Sequence, residues 1–307
     1  MPIHLPPLSR RRFLAGSIAA ASAIAFGDTL WGADDRTPAD RDPHRFALLS
    51  DVHIAADPAA VLRKVTMAEH LKKVAAEVAA LAPLPAWAVI NGDLAMGTGE
   101  AGDYATLLDL LKPIRNAGLP VHLALGNHDR RDRFRDALPA TERADTPLKD
   151  REAYVVESPR ANWFVLDSLG ETNKVPGTVG DEQRKWLADG LDARKDKPAI
   201  IMVHHNPDRE DPTRGGLTDT VALLELLASR KQAKALIFGH THHWSFAEEN
   251  GLHLINLPAV AYVFQEGDPI GWTDVKVTDA GATFELRCVD PAHKQHGEKH
   301  ELKWREG

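Results

Sequence analysis

A single cysteine, Cys288, in 307 residues excludes an intramolecular disulfide and a thiolate-rich zinc site, and fits maturation in either an oxidising or a reducing compartment. Positive charge is not in excess: 37 Lys and Arg stand against 44 Asp and Glu, a formal net charge of -7. Nonspecific nucleic-acid binding draws most of its free energy from Lys and Arg neutralising phosphates, so no nucleic-acid partner is expected. Long apolar runs are also missing. The one candidate, residues 13–26, is short and Ala-rich, and predicts no stable membrane span after processing. With 43% hydrophobic residues the chain can still bury one large core. What it has in number is histidine, fifteen in all, and three of these fall in "FGHTHHW", residues 238–244.

The N-terminus reads as an address. "SRRRFL" puts Arg10, Arg11 and Arg12 ahead of the small-residue stretch, and "AIA" at residues 23–25 supplies a small-x-small cleavage site. The segment resembles a twin-arginine export signal, with Ser9, Arg10, Arg11, Phe13 and Leu14 matching its pattern. That resemblance implies the twin-arginine export machinery as a partner and a periplasmic or secreted protein. The expected organisation is a signal peptide over residues 1–26, a charged Pro-containing linker over 27–43, one catalytic domain over 44–290, and a polar C-terminal tail over 291–307.

After the linker the chain alternates. "RFALLS" (45–50), "AWAVIN" (86–91), "VHLALG" (121–126), "NWFVLD" (162–167), "AIIMVH" (199–204), "ALIFG" (235–239) and "LHLINL" (252–257) have strand composition. Helical segments are expected over residues 59–81, 101–116, 181–193 and 219–230. Strand and helix repeated in this way predict an α/β core with partly parallel strands. From residue 252 the helices stop, and "GWTDVKVT" and "ATFELRCV" predict antiparallel strands closing a second sheet.

Five of the strand-like runs end in polar clusters: Asp51 and His53; Gly92 and Asp93; Asn127, His128 and Asp129; His204 and His205; His240, His242 and His243. Carboxyl ends of parallel strands share one edge of an open sheet, where ligands bind, so the clusters are expected to converge. Carboxylate, imidazole and amide oxygen without thiolate suit borderline metals such as Zn, Mn or Fe. Asp51 and His53, like His240 and His242, lie two apart, so an extended backbone projects each pair to one side. His243 would point the other way, towards a metal ligand or towards substrate. Trp244 is the aromatic expected nearest substrate, whereas Trp163 and Trp186 fall where core packing is expected.

"DVH", "NGD", "GNHD", "VHH" and "GHTH", in this order, resemble the five-block signature of calcineurin-like metallophosphoesterases. The resemblance implies an α/β/β/α sandwich, two central mixed sheets flanked by helices, and a centre of two divalent or trivalent metal ions, Fe, Mn, Zn or Co. It implies that Asp51, His53, Asp93 and His242 hold one metal, and that Asp93 bridges to a second held by Asn127, His204 and His240. Two cations about 3.5–4 Å apart can bind phosphoryl oxygens and activate a bridging water for in-line attack on phosphorus. His128 is then the expected catalytic group, protonating the leaving oxygen.

One departure stands out. Many family members carry an Asp that orients this histidine where "GDLAM" has Met96, and Asp129 or Asp103 could take its place. "GNHDRRDRF", "QRKWLADGL" and "VHHNP" are similar to class III cyclic-nucleotide phosphodiesterases, whereas purple acid phosphatases use a Tyr after the second block that is missing here. The expected substrate is a small-molecule phosphodiester or phosphomonoester, with small nucleotides favoured. Alternatives are a phosphatase on phospholipid head groups or phosphoproteins, and a metal-stabilised binding domain with weak catalysis. Residues 130–150 read either as a lid bringing Arg130, Arg131 or Arg133 to substrate, or as a solvated mixed-charge segment, the second being favoured.

Overall fold

The computed structural model describes residues 41–139, 146–210 and 215–306. The signal-like segment and most of the linker lie outside the described residues. Among the described residues fourteen strands occur in chain order: β1 Arg41–Leu49, β2 Val61–Leu62, β3 Val65–Thr66, β4 Leu84–Asn91, β5 Val121–Ala124, β6 Tyr154–Glu157, β7 Asn162–Val165, β8 Ala199–Met202, β9 Ala233–Phe238, β10 Ser245–Glu249, β11 Leu252–Asn256, β12 Gly271–Val277, β13 Gly281–Cys288 and β14 Lys299–Lys303. They form two six-stranded sheets, ordered β14-β13-β12-β1-β4-β5 and β10-β11-β9-β8-β7-β6, and a small β2-β3 hairpin. In the first, β1, β4 and β5 are parallel; in the second, β7, β8, β9 and β11 are parallel, and the remaining pairs are antiparallel.

The period of two along each central strand sets the layers. Phe46 and Leu48 of β1 and Trp87 and Val89 of β4 join Ile200, Met202 and Ile237 in one core between the sheets. Their neighbours Ala47, Leu49, Ala88 and Ile90 instead pack under the helices Met67–Ala79 and Ala101–Leu110. On the far side Ile201, Val203 and Leu236 pack under the helices Asp181–Ala193 and Thr220–Ala228. Both sheets are thus buried on two faces, which accounts for nearly continuous apolar strands. Phe46, Trp87 and Trp163 pack mutually in tilted and edge-on contacts in the inter-sheet core, with ring centroids 4.5–4.8 Å apart. The result is an α/β/β/α sandwich, as the motif resemblance implies.

Several elements differ from expectation. The helix expected over residues 59–81 begins only at Met67, because the β-branched Val61, Val65 and Thr66 pair as a hairpin, with Arg63 and Lys64 at φ 50° and 67° making its two-residue turn. The helix expected over residues 101–116 breaks at Leu111, where Pro113 suits only the first turn of a second helix, Lys112–Asn116. β12 and β13 do not close a second sheet; they extend the first, β12 lying antiparallel to β1. Residues read as a polar tail include β14, the edge of that sheet, whose alternating polar exposure hid it.

Candidate metal centre

The C-terminal ends of β1, β4, β5, β8 and β9 meet at one edge, and the five polar clusters meet with them. Hydrogen bonds across the two sheets fix how their edges meet: Asn91 Nδ2 donates to the Val203 carbonyl at 3.0 Å and His240 N–H to the Asp51 carboxylate at 3.1 Å, while Gly239 N–H donates to the His204 carbonyl at 3.0 Å within the second sheet. The loop after β1 lies along the loop after β4, with Asp51 N–H donating to Gly92 O and His53 N–H to Asp93 O. Asp51, His53, Asp93, His240 and His242 all have left-handed backbones, φ 46–67°. Such conformations are costly for residues other than glycine, and clustering at one place marks a functional site. Gly126 is required for space: a Cβ there would meet the Asp93 carboxylate.

The side chains form two groups sharing a carboxylate neighbourhood. Asp51, His53 and His242 lie close enough to hold one ion, and so do Asp93, His204 and His240. His242 Nε2 is 3.3 Å from Asp51 Oδ1, His204 Nε2 3.3 Å from Asp93 Oδ2, and His53 Nε2 3.6 Å from Asp93 Oδ2, joining the groups through Asp93. His242 Nδ1 donates to the Tyr262 carbonyl at 2.6 Å and His204 Nδ1 to the Asn91 carbonyl at 2.9 Å. A carbonyl only accepts, so each ring keeps its proton on Nδ1 and turns Nε2 to the carboxylates, the arrangement of a ligating imidazole. His53 Nε2 and His242 Nε2 face each other at 3.1 Å within the first group.

Asn127 is buried, and its Oδ1 has no hydrogen-bond partner. A buried, unpaired acceptor beside this cluster suits a cation ligand. Electrostatics agree. Burial alone would raise both carboxyls, yet the His242 and His204 imidazoles hold Asp51 below the usual carboxylate range, and His204 and His53 do the same for Asp93. Burial pushes the His53 and His240 imidazoles down to about 4, leaving neutral ligands. Against burial, the Asp93 and Asp51 charges raise His204 to about 10, so a cation there would take over a proton's place.

His128 belongs to the same pocket, grouped with His53 and Asp93. Its N–H donates to Asp93 Oδ1 at 2.9 Å, and its Nδ1 donates to the Gly97 carbonyl at 2.8 Å. The carbonyl of Gly97 therefore supplies the orientation that an Asp at position 96 would give, while Met96 packs into the helix-side core. Neither proposed substitute reaches His128. Asp129 is fully buried, and its carboxylate accepts the N–H groups of Leu94, Ala95 and Gly126, clamping the loops after β4 and β5. Burial and the Asp93 charge push its pKa up to about 7 against those donors. Asp103 is spent on the N–H groups of Ala56 and Glu100 in a capping box.

Other expectations resolve here too. His243 is half exposed and pairs with Asp268 at 3.0 Å, apart from the metal groups. Trp244 does not face substrate: it is buried in the inter-sheet core beside Phe246, because β10 begins at the next residue and turns it inward. Arg130 pairs with Asp132, Arg131 with buried Asp167 and Arg133 with Glu100, so each of these three guanidinium groups meets a carboxylate of the chain. Tyr262 was not legible: its carbonyl orients His242 and its ring stacks on His53 at 5.1 Å, from a loop with neither helical nor strand period.

Converging acidic and imidazole donors on a four-layer sandwich define a metal-dependent phosphoester hydrolase. Residues 44–244 match the calcineurin-like phosphoesterase family, and the chain belongs to it. It is 30% identical over 238 residues to the 3',5'-cyclic adenosine monophosphate phosphodiesterase of Pseudomonas aeruginosa, covering 75% of this chain and 81% of that one. A probable cyclic nucleotide phosphodiesterase of Synechococcus is 26% identical over 241 residues, 77% and 88% of the two chains. Among solved structures, a dimetal phosphatase from Danio rerio superposes with a TM-score of 0.67 at 17% identity, over 86% of this chain and all of that one.

Proposed function

We propose that the chain is an exported binuclear-metal phosphodiesterase acting on small nucleotides, with 3',5'-cyclic nucleotides favoured. The observation that carries the reading is Asp93, whose carboxylate is flanked by His204 on one side and His53 on the other and joins two donor groups. Asp51, His53, Asp93 and His242 would hold one ion; Asp93, Asn127, His204 and His240 would hold the other. When bound, the pair supplies charge neutralisation of the phosphoryl oxygens and an activated water. The chain's own residues do the rest. The carbonyls of Tyr262 and Asn91 fix the ligating tautomers, and Asp129 holds two ligand loops in place. His128, with Nδ1–H on Gly97 O, presents Nε2 to the pocket; as the imidazolium it would pass its Nε2 proton to the leaving oxygen and keep the Nδ1 proton on Gly97 O. The substrate class is supported by the names of the relatives and by motif text shared with class III enzymes.

The test is turnover of 3',5'-cyclic AMP, bis(p-nitrophenyl) phosphate and p-nitrophenyl phosphate by protein loaded in turn with Mn, Fe, Co and Zn. Hydrolysis of both diesters well above the monoester is the expected outcome. A reversed ratio makes the protein a monoesterase, and silence with all four metals makes it a metal-stabilised binding domain. Export rests on Arg10 and Arg11, outside the described residues. Among the described residues no helix is long and apolar enough to cross a membrane.

A further inference from the structure

We propose that Arg63 and Phe264 form a recognition wall for the organic part of the ester, a planar nucleobase-type group. The proposal rests on the nucleotide reading above. Arg63 Cζ lies 4.8 Å from the centroid of the Phe264 ring and 5.5 Å from that of Tyr262. Those rings continue into the metal pocket: Phe264 lies 4.4 Å from the His242 ring, and Tyr262 lies 4.8 Å from His242 and 5.1 Å from His53. Phe264 is 54% exposed, an unusual state for a phenyl ring touching a buried ligand. Arg63 is exposed and, among the described residues, meets no carboxylate, unlike Arg130, Arg131 and Arg133.

The backbone beneath Arg63 adds an independent observation. A two-residue hairpin turn with both residues at positive φ favours Asn and Gly, yet Arg63 and Lys64 occupy it. Long side chains in that conformation are not explained by the turn, whereas a guanidinium held over two rings at the rim of the site explains Arg63. A planar guanidinium and an exposed phenyl ring are surfaces on which unpaired bases stack, and guanidinium edges donate to base acceptors. The wall therefore meets the base while the phosphoryl group sits among the ligands.

The variants Arg63→Asn and Phe264→Ala in the metal-loaded chain test this. For each, the KM ratio of 3',5'-cyclic AMP to the ring-free diester glycerophosphoethanolamine is expected to rise roughly tenfold or more, and the Kd of AMP to rise alike. Arg63→Asn suits the turn, so its Tm is expected to stay level or increase, which separates a lost contact from a damaged fold. Equal changes for both esters, or AMP affinity insensitive to both variants, overturn the wall. A wild-type protein that hydrolyses ring-free diesters but no nucleotide refutes the substrate reading instead, and AMP titration still decides the wall.

Discussion

His128 has its Nδ1–H engaged by a backbone carbonyl and its own N–H engaged by Asp93, so its ring is oriented without a carboxylate partner. Because it lies beside the ligand set without belonging to either principal donor group, His128→Ala is expected to keep metal content by elemental analysis while lowering kcat about 10²–10⁴-fold. Loss of metal with unchanged turnover per bound ion would make it structural. The residues that converge in the candidate metal centre were legible because aspartate, asparagine and histidine recur at five strand ends, a pattern that core packing does not require. Gly97 was not legible, since it acts through a carbonyl that every residue carries. Asp129 was legible as important but not for what it does: only the fold shows its carboxylate clamping Leu94, Ala95 and Gly126.

Strands buried on both faces announce themselves as apolar runs, and β1, β4, β8 and β9 were legible for that reason. Three of the edge strands were not: β6, β10 and β14 are partly exposed and carry mixed polarity. β5 carries a half-buried titratable group that gives this element a pH signature. His122 packs edge-on against Trp87 at 5.4 Å and beside Tyr154 at 6.1 Å, and burial pushes its imidazole from 6.5 down to about 4. The unfolded chain takes up a proton there near pH 6.5 and the folded chain only near 4, so stability is present above 6.5 and is lost as pH falls through that window. His122→Phe is accordingly expected to lose less Tm than wild type between pH 6.5 and 4 in thermal melts. Parallel slopes for the two proteins would assign the acid sensitivity elsewhere.

At the scale of the molecule, the candidate metal centre joins two sheets whose parallel strands all end at one edge. Cations bound only by the folded chain would stabilise it, so chelation is expected to lower Tm by roughly 10 °C, with recovery on readdition. An unchanged melting curve would show that the cluster holds no resident ion. Replacing Arg10 and Arg11 by Lys is expected to leave the protein in the cytoplasm in a fractionation assay; undiminished export would remove the twin-arginine route. Residue chemistry and order along the chain by themselves determined the α/β class, the five polar blocks and their family, because burial on two faces and the chemistry of a metal site both restrict residue type locally. Only tertiary structure decided that β12, β13 and β14 extend the first sheet, that Gly97 stands in for a carboxylate, that Trp244 belongs to the core, and that Arg63 and Phe264 meet at the rim. Those outcomes depend on backbone direction and on contacts between distant segments, which residue type does not encode.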